Sequence, residues 1–194
     1  HNMKVFIIAG EPSGDLQGSL LVKGLKQLEP QIEVYAVGGE HLKGAGAGII
    51  QDIKELSVLG FFDVLTKIGK FKRLMRFILD EIGRIKPDAV IFVDFSGFNL
   101  RLAKKMKPAR ASSSGGILKR QKSIRATNGA VFGRECINKR AKTIYYISPQ
   151  VWASRQGRIK TIKEFIDKMI VIFPFEKEFY KKFGIDVEFP GNPL

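Results

Sequence analysis

KVFIIAGEPSGD, residues 4–15, decides how this chain folds. Lys4 to Ala9 is a nearly continuous apolar run, the pattern of a strand covered on both faces. Gly10 ends the run in a turn. From Asp15 to Leu28 apolar residues then recur at 16, 20, 21, 25 and 28, the spacing of a helix packed on a sheet. A buried strand that feeds a helix through a short Gly-rich turn is the opening unit of a parallel α/β sheet.

The unit repeats downstream. Glu33–Val37, closed by Gly38 and Gly39, reads as a second strand, and Ala89–Val93, introduced by the turn Lys86-Pro87-Asp88, as a third. Thr143–Ile147 stops at Ser148-Pro149, Met169–Phe173 stops at Pro174, and Val187–Phe189 is a short sixth strand. Helical patterns lie between most of them, which predicts a doubly wound parallel sheet of Rossmann-like type. A length of 194 residues suits one domain with one substantial core. Ligands of such sheets gather beyond the carboxyl ends of the strands. Those ends read GEPSGD (10–15), VDFSGFN (93–99), SPQVW (148–152) and PFEK (174–177), each polar or rich in Gly and Pro.

Composition narrows the chemistry. The one cysteine, Cys136, forbids an intrachain disulfide, and with only His1 and His41 no His/Cys metal site of ordinary spacing assembles, so neither metal nor cofactor is expected. Nucleophilic catalysis through a histidine base is unsupported for the same reason. Carboxylates, hydroxyls, amides and backbone have to carry the chemistry. Charges interrupt every apolar stretch well before about 18 residues accumulate, so no membrane span is expected. His1 and Asn2 before Met3 read as an expression scar without a targeting peptide, and the expected compartment is the cytoplasm. The net charge of +14 implies attraction to polyanions. Half of it, +7, falls in Pro108–Ala141, a stretch with SSSGG and few large apolar residues. That composition predicts a basic insertion, solvated or acting as an arm for RNA or lipid.

Three clusters stand out. GEPSGD lacks the Gly-Lys-Ser/Thr element of a P-loop and the spacing of G-x-G-x-x-G. Ser13 or Asp15 therefore either caps the helix or joins Glu11 in a hydroxyl-binding loop. Asp94, at the end of VIFV, either caps the next helix or acts as a base facing the cleft. Residues 57–82 form a helix whose Phe61, Val64, Leu65, Ile68, Phe71, Met75, Ile78 and Ile82 share one stripe. Phe62, Leu74 and Phe77 lie off that stripe, among Lys67, Lys70, Lys72, Arg73 and Arg76. An apolar face bordered by cations suits an interfacial helix, a core helix with a solvated basic side being the alternative. Trp152, Arg155, Gln156 and Arg158 follow the fourth strand, where the arginines either hold a phosphate or sugar or are solvated.

AGEPSGD (9–15), ELSVLGFFDVL (55–65), KPDAVIFVD (86–94), FNLRLAKK (98–105), YYISPQVWASRQGRIKTIK (145–163) and FPFEKEFYKKFGIDVEFPGNPL (173–194) occur in this order. In that arrangement the chain resembles the lipid-A-disaccharide synthases, over nearly all of 3–107 and 142–194. The resemblance implies a two-domain GT-B fold of which this is the N-terminal, acceptor-side domain, the C-terminal donor-binding domain being absent. It implies transfer of 2,3-diacylglucosamine from UDP-2,3-diacylglucosamine to 2,3-diacylglucosamine 1-phosphate in lipid A biosynthesis, with Asp94 as catalytic residue. Substrate contacts are expected at Glu11, Ser13, Gly14, Asp15, Asn99, Gln150, Trp152, Arg155 and Gln156. Membrane contacts are expected at Phe62, Lys67, Lys70, Arg73, Leu74 and Phe77, on an anionic surface at the inner face of the inner membrane. Nucleic acid is not an expected partner of such an enzyme. A stand-alone lipid- or nucleic-acid-binding module without catalysis is the competing reading. The sequence departs from the family pattern at Ser96 and Gly97, where a proline and an acid are usual, at Ser154 for a second tryptophan, and at Asn192 for a histidine.

Overall fold

The computed structural model describes residues 2–58, 68–106, 141–149 and 157–191. In chain order the elements are β1 (Lys4–Ala9), α1 (Pro12–Leu28), β2 (Glu33–Gly38), α2 (Glu40–Gly44), β3 (Gly48–Asp52), α3 (Ile53–Val58) and α4 (Ile68–Ile85). They continue with β4 (Ala89–Val93), α5 (Ser96–Met106), β5 (Lys142–Tyr146), α6 (Arg158–Phe165), β6 (Lys168–Ile170), α7 (Pro174–Lys181) and β7 (Val187–Glu188). The described strands form one sheet in the order β3-β2-β1-β4-β5-β6-β7, with every pair parallel. The doubly wound α/β sheet expected from the sequence is the fold observed.

Winding reverses between β1 and β4. The chain steps outward from β1 to β3, crosses back to β4, and steps outward again to β7. Right-handed crossovers then place helices on opposite faces for the two directions. Phe6, Ile8, Val90 and Phe92 accordingly meet Met75, Ile78 and Ile82 of α4 together with residues of α5, α6 and α7. On the other face Val5, Ile7, Ala9, Ile91 and Val93 meet Val22 of α1 and Leu42 of α2. Because alternate residues of β1 and β4 feed both cores, each strand has to be apolar throughout.

The fifth expected strand is shorter than its reading, Lys168–Ile170 in place of Met169–Phe173, and three elements differ more. On α1, Leu16 and Leu20 are 43% and 42% exposed and Leu28 is 85% exposed, while Gly14, Gly18 and Val22 are buried. Small residues let this helix lie against the sheet and α2: a Cβ at Gly14 would meet the Ala9 Cβ at 3.5 Å and one at Gly18 would meet Leu42 of α2 at 3.4 Å, contacts that leave no room for a longer side chain. Close approach selects the glycine face and leaves the leucines outside. β3 was not anticipated, because an edge strand reading GIIQD is only partly buried and carries no long apolar run. The helix expected at 57–82 is represented by α3, which ends at Val58, and α4, which begins at Ile68 and continues to Ile85. Phe61, Phe62, Val64, Leu65 and Lys67 lie outside the described residues, as does nearly all of the basic segment expected at 108–141.

Candidate functional site

The reversal of winding opens a crevice at the carboxyl ends of β1 and β4, which is where ligands settle in such sheets. Ala9 is in register with Val93, so the GEPSGD and DFSGFN turns leave the sheet side by side. Their contact is close: a Cβ on Gly10 would stand 2.2 Å from the Phe95 ring, which only glycine permits. Phe95 stacks in turn on Phe98, with ring centroids 5.4 Å apart.

Asp94 and Phe95 are consecutive non-glycine residues in the left-handed region, with φ of 46° and 44°. This conformation is costly for residues with a Cβ and persists only where surroundings impose it. Two side chains grip the Asp94 carbonyl. Asn99 Nδ2 donates to it at 2.8 Å and Tyr145 Oη donates to it at 2.5 Å. Asn99 and Tyr145 are both fully buried. Asn99 Oδ1 has no hydrogen-bond partner among the described residues.

Asp94 is half-buried. Burial raises its carboxyl above the ordinary 3.8, opposed by a hydrogen bond from the Phe95 N–H. Glu11 is raised above 4.5, first by burial and second by the charge of Asp94. Glu11 occupies the N-cap position of α1 yet makes no side-chain capping bond. The crevice thus brings together two carboxyls that burial holds towards the protonated form, the charge of Asp94 adding to the effect on Glu11. Among the described residues no group of three or more His, Cys, Asp or Glu converges on a metal position.

The other expected site residues divide. Asp15 does not face the crevice: it is buried, and its carboxylate accepts from the N–H groups of Gly39 at 2.6 Å, His41 at 3.0 Å and Leu42 at 3.2 Å. It caps α2 across the fold, neither its own helix nor a ligand. Gly14 is buried against Ala9 and Val93, a packing role. Ser13 is exposed at the start of α1. Asn99 acts on the Asp94 backbone, and its amide nitrogen is already engaged. Gln150, Trp152, Arg155 and Gln156 lie outside the described residues. Arg158, at the start of α6, donates to Ser96 Oγ beside the Asp94 turn. The sequence reading missed Tyr145, since an aromatic in a buried strand carries no mark that its hydroxyl has a task.

On α4, Arg73 and Phe77 are exposed, Lys70 is partly so, and Lys72 and Arg76 join them at the surface. Leu74, expected among the membrane contacts, is instead 6% exposed and belongs to the core with Met75 and Ile78. The buried arc of α4 is therefore one residue wider than its spacing suggested. No described helix is long and apolar enough to cross a membrane.

The model of a family described as lipid-A-disaccharide synthetase matches residues 5–113 and 135–194. The unmatched interval falls within the basic segment. Lipid-A-disaccharide synthase of Coxiella burnetii is 36% identical over 193 residues, which is 100% of this chain and 43% of that protein. The Geobacter metallireducens protein of that name is 37% identical over 193 residues, 100% of this chain and 42% of its own length. A lipid-A-disaccharide synthase 1 of Legionella pneumophila is 39% identical over 191 residues, 98% of this chain and 42% of that protein. This chain spans less than half the length of the curated relatives it matches.

Proposed function

The chain belongs to the lipid-A-disaccharide synthase family, and from that membership we propose that it is the acceptor-side domain of a glycosyltransferase with Asp94 as general base. The reaction is transfer of 2,3-diacylglucosamine from UDP to 2,3-diacylglucosamine 1-phosphate. Asp94 takes the proton of the acceptor's attacking hydroxyl as the new bond forms at the anomeric carbon, and UDP leaves from the opposite face. A base whose pKa is raised by burial takes up a proton more readily than an ordinary carboxylate, which suits this task. Glu11, across the crevice mouth, holds a sugar hydroxyl. Ser13, Gln150, Trp152, Arg155 and Gln156 complete the substrate contacts. The UDP group belongs to a second domain in the remaining length of the relatives, and turnover requires both domains to hold the reactants together.

The observation that carries this reading is the paired, half-buried carboxylates at the point where the sheet reverses its winding. The acylated substrates call for work at a membrane surface, and α4, with Arg73, Arg76 and Phe77 outward, is the element that meets anionic lipid at the inner face of the inner membrane. Resemblance along the whole chain to enzymes favours this reading over a stand-alone binding module. In the full-length enzyme, Asp94→Asn should lower sugar transfer by about 100- to 10,000-fold, the range for loss of a general base, while vesicle binding stays intact. Retention of wild-type transfer would remove Asp94 from the mechanism.

A further inference from the structure

We propose that Tyr145 and Asn99 are positioning residues for Asp94, gripping its carbonyl from two elements so that its carboxylate projects into the crevice between β1 and β4. The inference rests on Asp94 being the base and goes beyond it, to the groups that aim it. A strand that ends in two left-handed residues turns sharply, and neither Asp94 nor Phe95 is a glycine that would adopt this turn unaided. The restraint has to come from outside the turn. Tyr145 lies on β5, 51 positions away, and Asn99 lies in the first half of α5, yet both donate to one carbonyl oxygen.

A carbonyl accepting two bonds is fully used, and both donors are immobile. The Tyr145 ring is buried and packs against Phe92 at 5.9 Å between centroids. Burial, with the nearby charge of Asp94, holds the phenol well above its ordinary range, so it keeps the proton it donates. Phe95, pressed over Gly10, closes the third side of the turn. With its backbone held at the carbonyl, the Asp94 side chain has little freedom left except at its own torsions. Such support from rigid neighbours is what a catalytic group needs to keep its geometry.

Tyr145→Phe in the full-length enzyme deletes the donor and keeps the ring. The expected result is a fall in kcat of roughly 10- to 100-fold with the acceptor KM within about twofold, as for a base displaced by a fraction of an ångström. The acid limb of the kcat profile against pH should shift as well, because the displaced carboxylate changes its burial. Asp94→Asn, measured alongside, separates the two ideas. If Asp94→Asn retains transfer, the base assignment falls and takes the clamp with it. If Asp94→Asn is inactive while Tyr145→Phe keeps wild-type kcat and pH profile, the base stands and the clamp is overturned. A Tyr145→Phe protein that melts earlier but turns over normally per folded molecule also overturns it, since the hydroxyl is then structural. Should Tyr145→Phe not fold, Asn99→Ser carries the same comparison; if neither folds, the pair is part of the scaffold and the proposal falls.

Discussion

Asp94 combines a left-handed backbone with a carboxylate held partly away from water. The second makes its stability contribution depend on pH. Below 3.8 the carboxyl is protonated in folded and unfolded chains alike and burial costs little. As pH rises the unfolded chain ionises first, so stability is lost while pH climbs through the raised folded value. Asn carries no charge and tolerates positive φ. Asp94→Asn should therefore raise the melting temperature at pH 7 by more than it does at pH 3. Equal gains at the two pH values would show that burial of the charge contributes nothing. Destabilisation that vanishes when function is removed is a common signature of residues kept for chemistry. Asp15 shows the opposite case: the same residue type, 79 positions earlier, is engaged by the amides of Gly39, His41 and Leu42. Sequence offered both as site candidates. Only the three-dimensional position of α2 separates them.

Elements were legible where burial was simple and illegible where it was shared. The runs VFIIA and AVIFV announced β1 and β4 because both faces of each are covered, and the turns after them announced the crevice. β3 went unread because an edge strand has no such run, and the packed face of α1 was misjudged because leucines draw attention that glycines deserve. Backbone approach, set by the smallest side chains, leaves no hydrophobic signal. Gly24 on the same helix offers a check. A Cβ there meets nothing within 4 Å, so Gly24→Ala should stabilise the chain by about 0.5–1 kcal/mol through helix propensity and reduced freedom of the unfolded chain. Urea midpoints measure it, and a loss of stability would mean that the position is covered. At α4 the spacing rule puts Leu74 outside the core by a single position, and the structure buries it beside Met75. Tyr145 illustrates the remaining gap. Its burial was predictable from strand pattern; its bond to a carbonyl 51 residues away was not.

For the whole molecule, the +14 charge is the property that acts at a distance. Half lies outside the basic segment, and on α4 Lys72, Arg73, Arg76 and Phe77 are all exposed. If this face meets anionic lipid, each cation contributes about 1 kcal/mol at the surface, and Arg73→Gln with Arg76→Gln should weaken binding to vesicles containing acidic phospholipid by roughly 30-fold. Vesicle co-sedimentation measures this, with binding that weakens as salt is added. An unchanged affinity would move the contact elsewhere. The reversal of winding has a further consequence, in the timing of biosynthesis. β1 leaves the ribosome ahead of β2 and β3, and β4, its central neighbour, follows only after both; the Lys4 amide waits for the Asp88 carboxylate, 84 residues on. At about 5–20 residues per second that gap lasts on the order of 4–17 seconds. Throughout it one apolar edge of β1 has no strand beside it. The two carboxylates meet only when β4 docks, so the newborn chain gains its crevice and covers that apolar edge of β1 in the same event.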